Sequence, residues 1–332
     1  MAFALAIPTL NLTGHHRMFI RQIHYLLALA KTGHFGRAAQ TCHVSQPALS
    51  TALQHLEEEL GVTIIKRGQR FQGFTEEGER VLQWARILAQ NWEGMRQAAA
   101  QYSQQLTGVL RIGAIPTTLP VTPLLTQPCQ AGYPGIAIKL LSLSAEELIR
   151  QLDNFELDLG LTYLDDPRLK GFKTLPLYLE RYVLLARNPA PCLLKSALHW
   201  RDIASLPLCL LTQNMQNRRL IDAAFREANV IPNVMLETDS IFALYAHVRS
   251  AGLYCVVPHS MLNQFALHED ITALPLTPEL SREVGLIVRR QDLPSPIQDA
   301  AWNIARQLDL QHRFDSLMAA GHLTLRQSAA VR

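Results

Sequence analysis

Cysteine is sparse in this chain of 332 residues: Cys42, Cys129, Cys192, Cys209 and Cys255, an odd number with no C-x-x-C pair. That argues against a disulfide framework and a zinc ribbon, and it fits reduced thiols in a cytoplasmic protein. No apolar run is long enough to span a membrane. The apolar start, Met1 to Leu12, has no basic leading segment and is broken by Pro8, so it does not read as a signal peptide. Ser, His and acidic residues are plentiful, yet no G-x-S-x-G, H-E-x-x-H, G-x-G-x-x-G or phosphate loop occurs, and no enzyme, metal or cofactor is implied. Strong charge is lacking too: the net value is +3, too small to name a partner.

What is present is a folded composition, 48% hydrophobic, in a length that allows two or three domains. The charge is unevenly spread. Between Arg17 and Phe74 seven basic residues (Arg17, Arg21, Lys31, Arg37, Lys66, Arg67, Arg70) face three acids, Glu57, Glu58 and Glu59. A compact basic segment points modestly to nucleic acid. The same segment has helical periodicity. Phe19 to Lys31 puts Phe19, Ile20, Ile23, Leu26, Leu27 and Ala30 on one face, and Gly33 ends it. A short helix is expected from Phe35 to Cys42. After His43-Val44, Ser45 can cap a third helix with Pro47 in its first turn, Leu49, Ala52, Leu53, Leu56 and Leu60 as its buried stripe, and Gly61 as its stop. This is a helix-turn-helix pattern. Val62 to Ile65 and a return strand from Phe71, joined by the basic turn Lys66 to Arg70, predict a β-hairpin wing.

Thr75 opens a long helix to about Gln104, with Glu76, Glu77 and Glu79 suiting its positive end. Val81, Ala85, Leu88, Trp92, Met95, Ala99 and Tyr102 recur at alternating steps of four and three, an a/d seam that calls for a partner helix. The bland alternative is a helix packed within its own chain. Beyond Leu106-Thr107-Gly108 the pattern becomes α/β. Strands are expected at Val109 to Ile115, Ile136 to Leu143, Leu157 to Thr162, Arg181 to Ala186, Leu208 to Leu211 and Gly252 to Val257. Helices between them predict mostly parallel sheets, in two lobes with a ligand cleft between.

Three stretches closely resemble the LysR-type transcriptional regulators: His34-Phe35-Gly36-Arg37-Ala38-Ala39, Val44-Ser45-Gln46-Pro47-Ala48-Leu49-Ser50 and Leu56-Glu57-Glu58-Glu59-Leu60-Gly61-Val62. Thr75-Glu76-Glu77-Gly78, Leu157-Asp158-Leu159-Gly160-Leu161, Ala251-Gly252-Leu253 and Val257-Pro258 extend the likeness, from Phe19 to Leu308. Thr51 departs from the family, standing where many members carry a basic residue. Ile64-Ile65 replaces the more usual Leu-Phe, and the extension before Phe19 is longer than usual. The resemblance implies an α+β multidomain protein. Residues 1–17 would be an extension, 18–74 a winged helix-turn-helix, and 75–106 a linker and dimerisation helix. Residues 107–180 and 282–312 would form effector lobe I, 181–281 lobe II, and 313–332 a tail. The two lobes would resemble periplasmic binding proteins, with the chain crossing near Glu180 and returning near Arg282 to Val288. It also implies a homodimer or homotetramer on an interrupted inverted repeat of promoter DNA, and a small-molecule effector, by default a small organic anion.

The candidate site residues follow. Ser45, Gln46, Pro47, Ser50, Thr51 and Gln54 occupy the outward, early part of the third helix, where amides, hydroxyls and methyls can read base edges. Lys66, Arg67 and Arg70 can neutralise phosphates. Glu57, Glu58 and Glu59 should point away from DNA, and His43 and His55 read as solvated or packing residues. Thr117, Thr118, Thr212, Gln213, Asn214 and Ser240 lie between strands and helices, where free amides suit anions. Family position adds Thr162, Val257 and Pro258. The alternative for each is an ordinary helix cap or solvated polar residue. Cys192 and Cys209, in one lobe, leave a thiol-based redox regulator of the same architecture open. A small-solute-binding protein is the rival from another class.

Overall fold

The computed structural model describes residues 20–66, 68, 70–101, 106–187, 198–262 and 271–316. The N-terminal extension, Arg67, Tyr102, Cys192 and most of the expected tail lie outside them. The chain divides into two compact units, Met1–Glu93 and Gly94–Arg332.

The first unit holds α1 (Ile20–Thr32), α2 (Phe35–Thr41), α3 (Gln46–Leu60) and the start of α4 (Glu76–Gln101). Ser45 caps α3 by accepting a hydrogen bond from the Ala48 amide, and Gly61 ends it in the left-handed conformation (φ 66°), as the sequence pattern requires. Ile23, Leu26, Leu29, Leu49, Leu53 and Leu56 are buried between the helices. Thr75 caps α4 through the Gly78 amide at 2.9 Å. A Cβ at Gly78 would lie 2.1 Å from the Ile64 carbonyl oxygen, so only glycine lets α4 start there.

Two expectations fail here. Among the described residues the wing carries no strand, only an antiparallel bridge, Ile65 to Phe74, extended by Lys66 N–H donating to Gly73 O at 3.1 Å. The amides of Ile64 and Ile65 donate instead to Glu57 Oε1, at 2.7 and 2.8 Å. Nor is the seam of α4 one surface. Ala85 is buried in the core of this unit with Leu82, and Val81 packs against the same core, so a partner chain cannot reach Ala85. Leu88, Trp92, Met95 and Ala99 stay exposed, as does Trp84. An α-helix of 26 residues outruns a small domain, so its first turns serve the chain's own core and its later turns do not.

The second unit alternates strands and helices. In order come β1 (Gly108–Ala114), α5 (Thr122–Gly132), β2 (Ile136–Ser142), α6 (Ala145–Asp153), β3 (Leu159–Tyr163) and β4 (Phe172–Arg187). Then follow β5 (Leu198–His199), α7 (Trp200–Ile203), β6 (Leu208–Leu211), α8 (Gln216–Glu227), β7 (Val234–Thr238) and α9 (Ile241–Ala251). The unit closes with β8 (Cys255–Pro258), β9 (Ile271–Thr277), β10 (Ser281–Arg289) and α10 (Pro296–Ala305). The main sheet has the order β2-β1-β3-β10-β4-β9-β5, with β8 also on β4; β6 and β7 form a second sheet. The expectation of mostly parallel sheets holds for β2-β1-β3 and β6-β7 and fails in the middle, where β10 and β4 run antiparallel. Two strands that carry one chain out of a lobe and back must oppose each other.

Those two strands join the lobes. The first part of β4 pairs with β10 as far as Arg181 against Ser281, and the rest, from Tyr182, pairs with β8 and β9. One apolar core lies in lobe I around Leu110, Ile112, Leu161, Leu286 and Trp302. Lobe II has two: Leu184, Trp200, Leu210 and Phe225 in one, and Val183, Cys209, Val248 and Cys255 in the other.

Candidate functional site

The outer face of α3 is polar and open. Ser45, Gln46, Pro47, Thr51 and Gln54 are exposed and Ser50 is half-buried, while Leu49, Leu53 and Leu56 beneath them are buried. The face can therefore meet a partner without disturbing the core. Lys66 and Arg70 are exposed beside it in sequence. Glu57 faces away and anchors the wing, a role that its place in a run of three acids did not reveal. His34, quoted in the sequence only as part of the first family-like stretch, caps α2 by accepting from the Gly36 amide at 3.0 Å.

The second constellation lies where β4 and β10 cross between the lobes. Tyr178, Glu180 and Tyr182 share one face of β4 by strand alternation, and all three are buried. A continuous set of hydrogen bonds joins the lobes there. Asn217 Nδ2, on α8 of lobe II, donates to the Tyr182 hydroxyl at 3.1 Å. Tyr182 and Tyr163 hydroxyls are 3.1 Å apart. Thr117 Oγ1, after β1 of lobe I, is 3.1 Å from the Tyr163 hydroxyl. That hydroxyl donates to Glu180 Oε1 at 3.2 Å. A phenol has one proton, so Tyr163 accepts from Thr117 and Tyr182, and every bond in the set runs toward Glu180.

Glu180 is fully buried. Burial pushes its carboxyl up to about 8, against the lowering pull of the Tyr163 hydrogen bond and the Arg282 charge. Arg282 stacks over the Tyr163 ring at 3.8 Å and grips Asp165 with Nε, at 2.9 Å, and Nη2. Among the described residues neither Arg282 Nη1 nor Glu180 Oε2 finds a hydrogen-bond partner. His259, also fully buried, accepts from the Arg181 amide on Nδ1 at 3.0 Å, so a neutral ring carries its proton on Nε2. Burial, with the Arg181 charge, lowers its pKa to about 4.

The candidate effector residues separate on this geometry. Thr117 belongs to the interlobe set. Thr118 is buried and its hydroxyl donates to Ile115 O and Leu161 O at 3.0 and 3.3 Å, a local structural role. Ser240 caps α9 through the Ala243 amide, also structural. Thr162 is buried within β3. Val257 is packed in the lobe II core and the buried Pro258 pairs across to Tyr182; these two were expected in a cleft and are packing residues. The Thr212 hydroxyl is buried with no partner among the described residues, while Gln213 and Asn214 are exposed. Gln213 lines a cavity of about 820 Å³ on lobe II with Arg218, Phe225 and Met235. A second, of about 550 Å³, lies on lobe I beside Lys173, Arg290 and Trp302. Sequence reasoning missed Tyr163, Tyr182, Asn217 and His259. One signal was available: Glu180 interrupts an apolar strand run, where a charge is costly unless it has a task.

Cys209 lies beside Cys255, both as free thiols; Cys192 lies outside the described residues. Leu208 bridges Tyr254 in parallel, the Cys209 amide donates to Tyr254 O at 2.8 Å, and the Cys209 thiol donates to Leu244 O at 3.7 Å. Cys209 and Cys255 are both fully buried. Among the described residues no group of three or more His, Cys, Asp or Glu could hold a metal, and no helix is long and apolar enough to cross a membrane.

Residues 20–79 match the family model described as a bacterial regulatory helix-turn-helix protein of the lysR family, and residues 103–309 match the LysR substrate binding domain. The chain belongs to the LysR family. It is a DNA-binding transcriptional regulator with an effector-binding domain. Among LysR relatives, it is 29% identical over 278 residues to the DNA-binding transcriptional dual regulator OxyR of Escherichia coli K12, covering 82% of this chain and 90% of that protein. It is 28% identical over 277 residues to the hydrogen peroxide-inducible genes activator of Haemophilus influenzae, covering 82% and 91%. The structure of full-length OxyR from Pseudomonas aeruginosa aligns with a TM-score of 0.71 at 27% identity, over 90% of this chain and 98% of that one. Full-length CbnR complexed with its target DNA shares the fold, at a TM-score of 0.58 and 21% identity over 87% and 99%.

Proposed function

We propose that this regulator reads promoter DNA with Ser45, Gln46, Pro47, Ser50, Thr51 and Gln54. Lys66, Arg67 and Arg70 supply phosphate contacts that hold the reading helix in register. The observation that carries this is the face of α3, polar and exposed over a buried apolar stripe under a Ser45 cap. Residues 18–74 form the DNA-binding domain and 75–106 the linker. Residues 107–180 with 282–312, and 181–281, form the two effector lobes. Self-association runs along Leu88, Trp92, Met95 and Ala99 of α4, continuing to Tyr102. The unit is a homodimer or homotetramer on an interrupted inverted repeat, working in the cytoplasm where the DNA is. It acts by binding rather than catalysis.

The effector, a small molecule, binds between the lobes against Thr117 and Thr212, and its differential affinity for closed and open lobes shifts the spacing of the DNA-binding heads. A gel shift and footprint on the DNA upstream of the protein's own gene test this. Sequence-specific protection of an inverted repeat is the expected result, and no protection at all would refute it. The peroxide-inducible relatives and the Cys209–Cys255 pair favour a second reading, in which thiol oxidation supplies the signal. Loss of response in Cys209→Ser would turn the balance to it.

A further inference from the structure

We propose that Glu180 Oε2 and Arg282 Nη1 together anchor the effector, and that the group they hold is a small oxyanion, in the first instance a carboxylate. The inference rests on the reading above, that an effector binds between the lobes, and adds its chemistry. Both atoms are buried at the lobe crossing and without partners among the described residues; the Arg282 side chain is only 6% exposed. A buried guanidinium nitrogen is rarely left without an acceptor. Asp165 occupies Nε and Nη2 and leaves Nη1 to something else.

Glu180 has the same asymmetry. Its Oε1 accepts from Tyr163, at the end of a set of bonds that all run toward it. In the neutral carboxyl the proton therefore sits on Oε2, which becomes a donor. Glu180 is neutral over most of the physiological range, because burial raises its pKa to about 8. Glu180 Oε2 and Arg282 Nη1 are then two unsatisfied donors at the lobe crossing, one neutral and one charged, and donors are what an anion needs. The groups facing Glu180 are Tyr163 from β3, Tyr178 and Tyr182 from β4 itself, and Arg282 from β10 with its partner Asp165. Asn217 on α8 reaches it through Tyr182, and the buried His259 follows β8. Burial keeps the tyrosines un-ionised and His259 uncharged through the neutral range, so Glu180 is the group in this set that changes charge near pH 8.

Ionised Glu180 repels an anion, so carboxylate affinity should fall above pH 8, approaching about tenfold per pH unit as each bound anion carries a proton with it. Calorimetry on the full-length protein tests this. Acetate, pyruvate and benzoate, with acetamide and benzamide as uncharged counterparts, are titrated at pH 6.5, 7.5 and 9. Expected are binding of at least one carboxylate, none of its amide, and the alkaline fall. Glu180→Gln should bind a few-fold more weakly with the alkaline fall removed. Arg282→Lys, which keeps the charge for Asp165 and loses Nη1, should bind at least tenfold more weakly with an unchanged circular dichroism spectrum. Lys173→Ala, on the lobe I cavity, should bind like the parent. Amides that bind as well as carboxylates, an unchanged alkaline fall in Glu180→Gln, or no carboxylate bound would overturn the anchor. Uncharged molecules that bind and alter the footprint would sink the anchor alone. A carboxylate that binds as described and leaves the footprint unaltered would sink the regulatory reading alone.

Discussion

Replacing Glu57 with Ala should loosen the wing without unfolding the helices beneath it. The side chain accepts from two amides, Ile64 and Ile65, at 2.7 and 2.8 Å, and among the described residues the wing has one bridge and no strand to take them. A hydrogen bond to a charged group contributes about 1.5–3 kcal/mol. Glu57 is half-buried, so water recovers part of the loss, and about 2–3 kcal/mol for the pair is reasonable. That raises the exchange rate of those two amides about 30- to 150-fold, since each 1.36 kcal/mol is tenfold. Hydrogen exchange read by mass spectrometry over the segment from Leu60 to Phe74 measures it in the full-length protein. Glu57→Gln keeps one acceptor oxygen and should show a smaller change. Glu58→Ala, on an exposed neighbour, should show none. Equal exchange in the Glu57→Ala and Glu58→Ala proteins would refute the argument. The same change should weaken DNA binding on all sequences alike, because it disturbs the segment carrying Lys66 and Arg70.

Lys66→Ala with Arg70→Ala should lower affinity for every DNA sequence and flatten its salt dependence, whereas Gln46→Ala should relax the choice among sequences; binding isotherms at several salt concentrations separate the two. Trp92→Glu or Met95→Glu should shift the protein toward monomer in sedimentation, while Ala85→Leu, in a site already filled, should cost about 1–3 kcal/mol of stability instead. Tyr182→Phe removes the link between Asn217 and Tyr163 and should weaken the joint between the lobes by about 1–2 kcal/mol, seen as faster exchange in β4. Two buried groups set the pH profile of stability. His259, with its folded pKa lowered to about 4, makes stability fall as pH drops below the ordinary histidine value toward 4. Glu180, raised to about 8, makes it fall as pH rises from the ordinary carboxylate value toward 8. Glu180→Gln should abolish the second slope in thermal melts and leave the first.

Much of this regulator was legible because its signals are local. The caps at Ser45 and Thr75, the left-handed Gly61 and the apolar stripe Leu49-Leu53-Leu56 are properties of neighbouring residues, and each stands where the pattern put it. So did the strands β1, β2 and β6, within a residue or two. Which thiols lie together was not in the spacing of the cysteines. Cys209 meets Cys255 because β6 and β8 are neighbours in space. The same holds for the a/d seam: its period is local, but whether Ala85 faces a partner or its own core depends on where α1 and α3 pack. The interlobe set is the extreme case. Thr117, Tyr163, Glu180 with Tyr182, Asn217 and Arg282 come from five places along the chain and are brought together by two antiparallel crossing strands. The sequence by itself determined the elements, their ends and the family, because helix and strand formation is settled over a few residues. Tertiary structure alone decided which polar groups lose their water together, and that shared burial makes Glu180 a neutral donor at the lobe crossing.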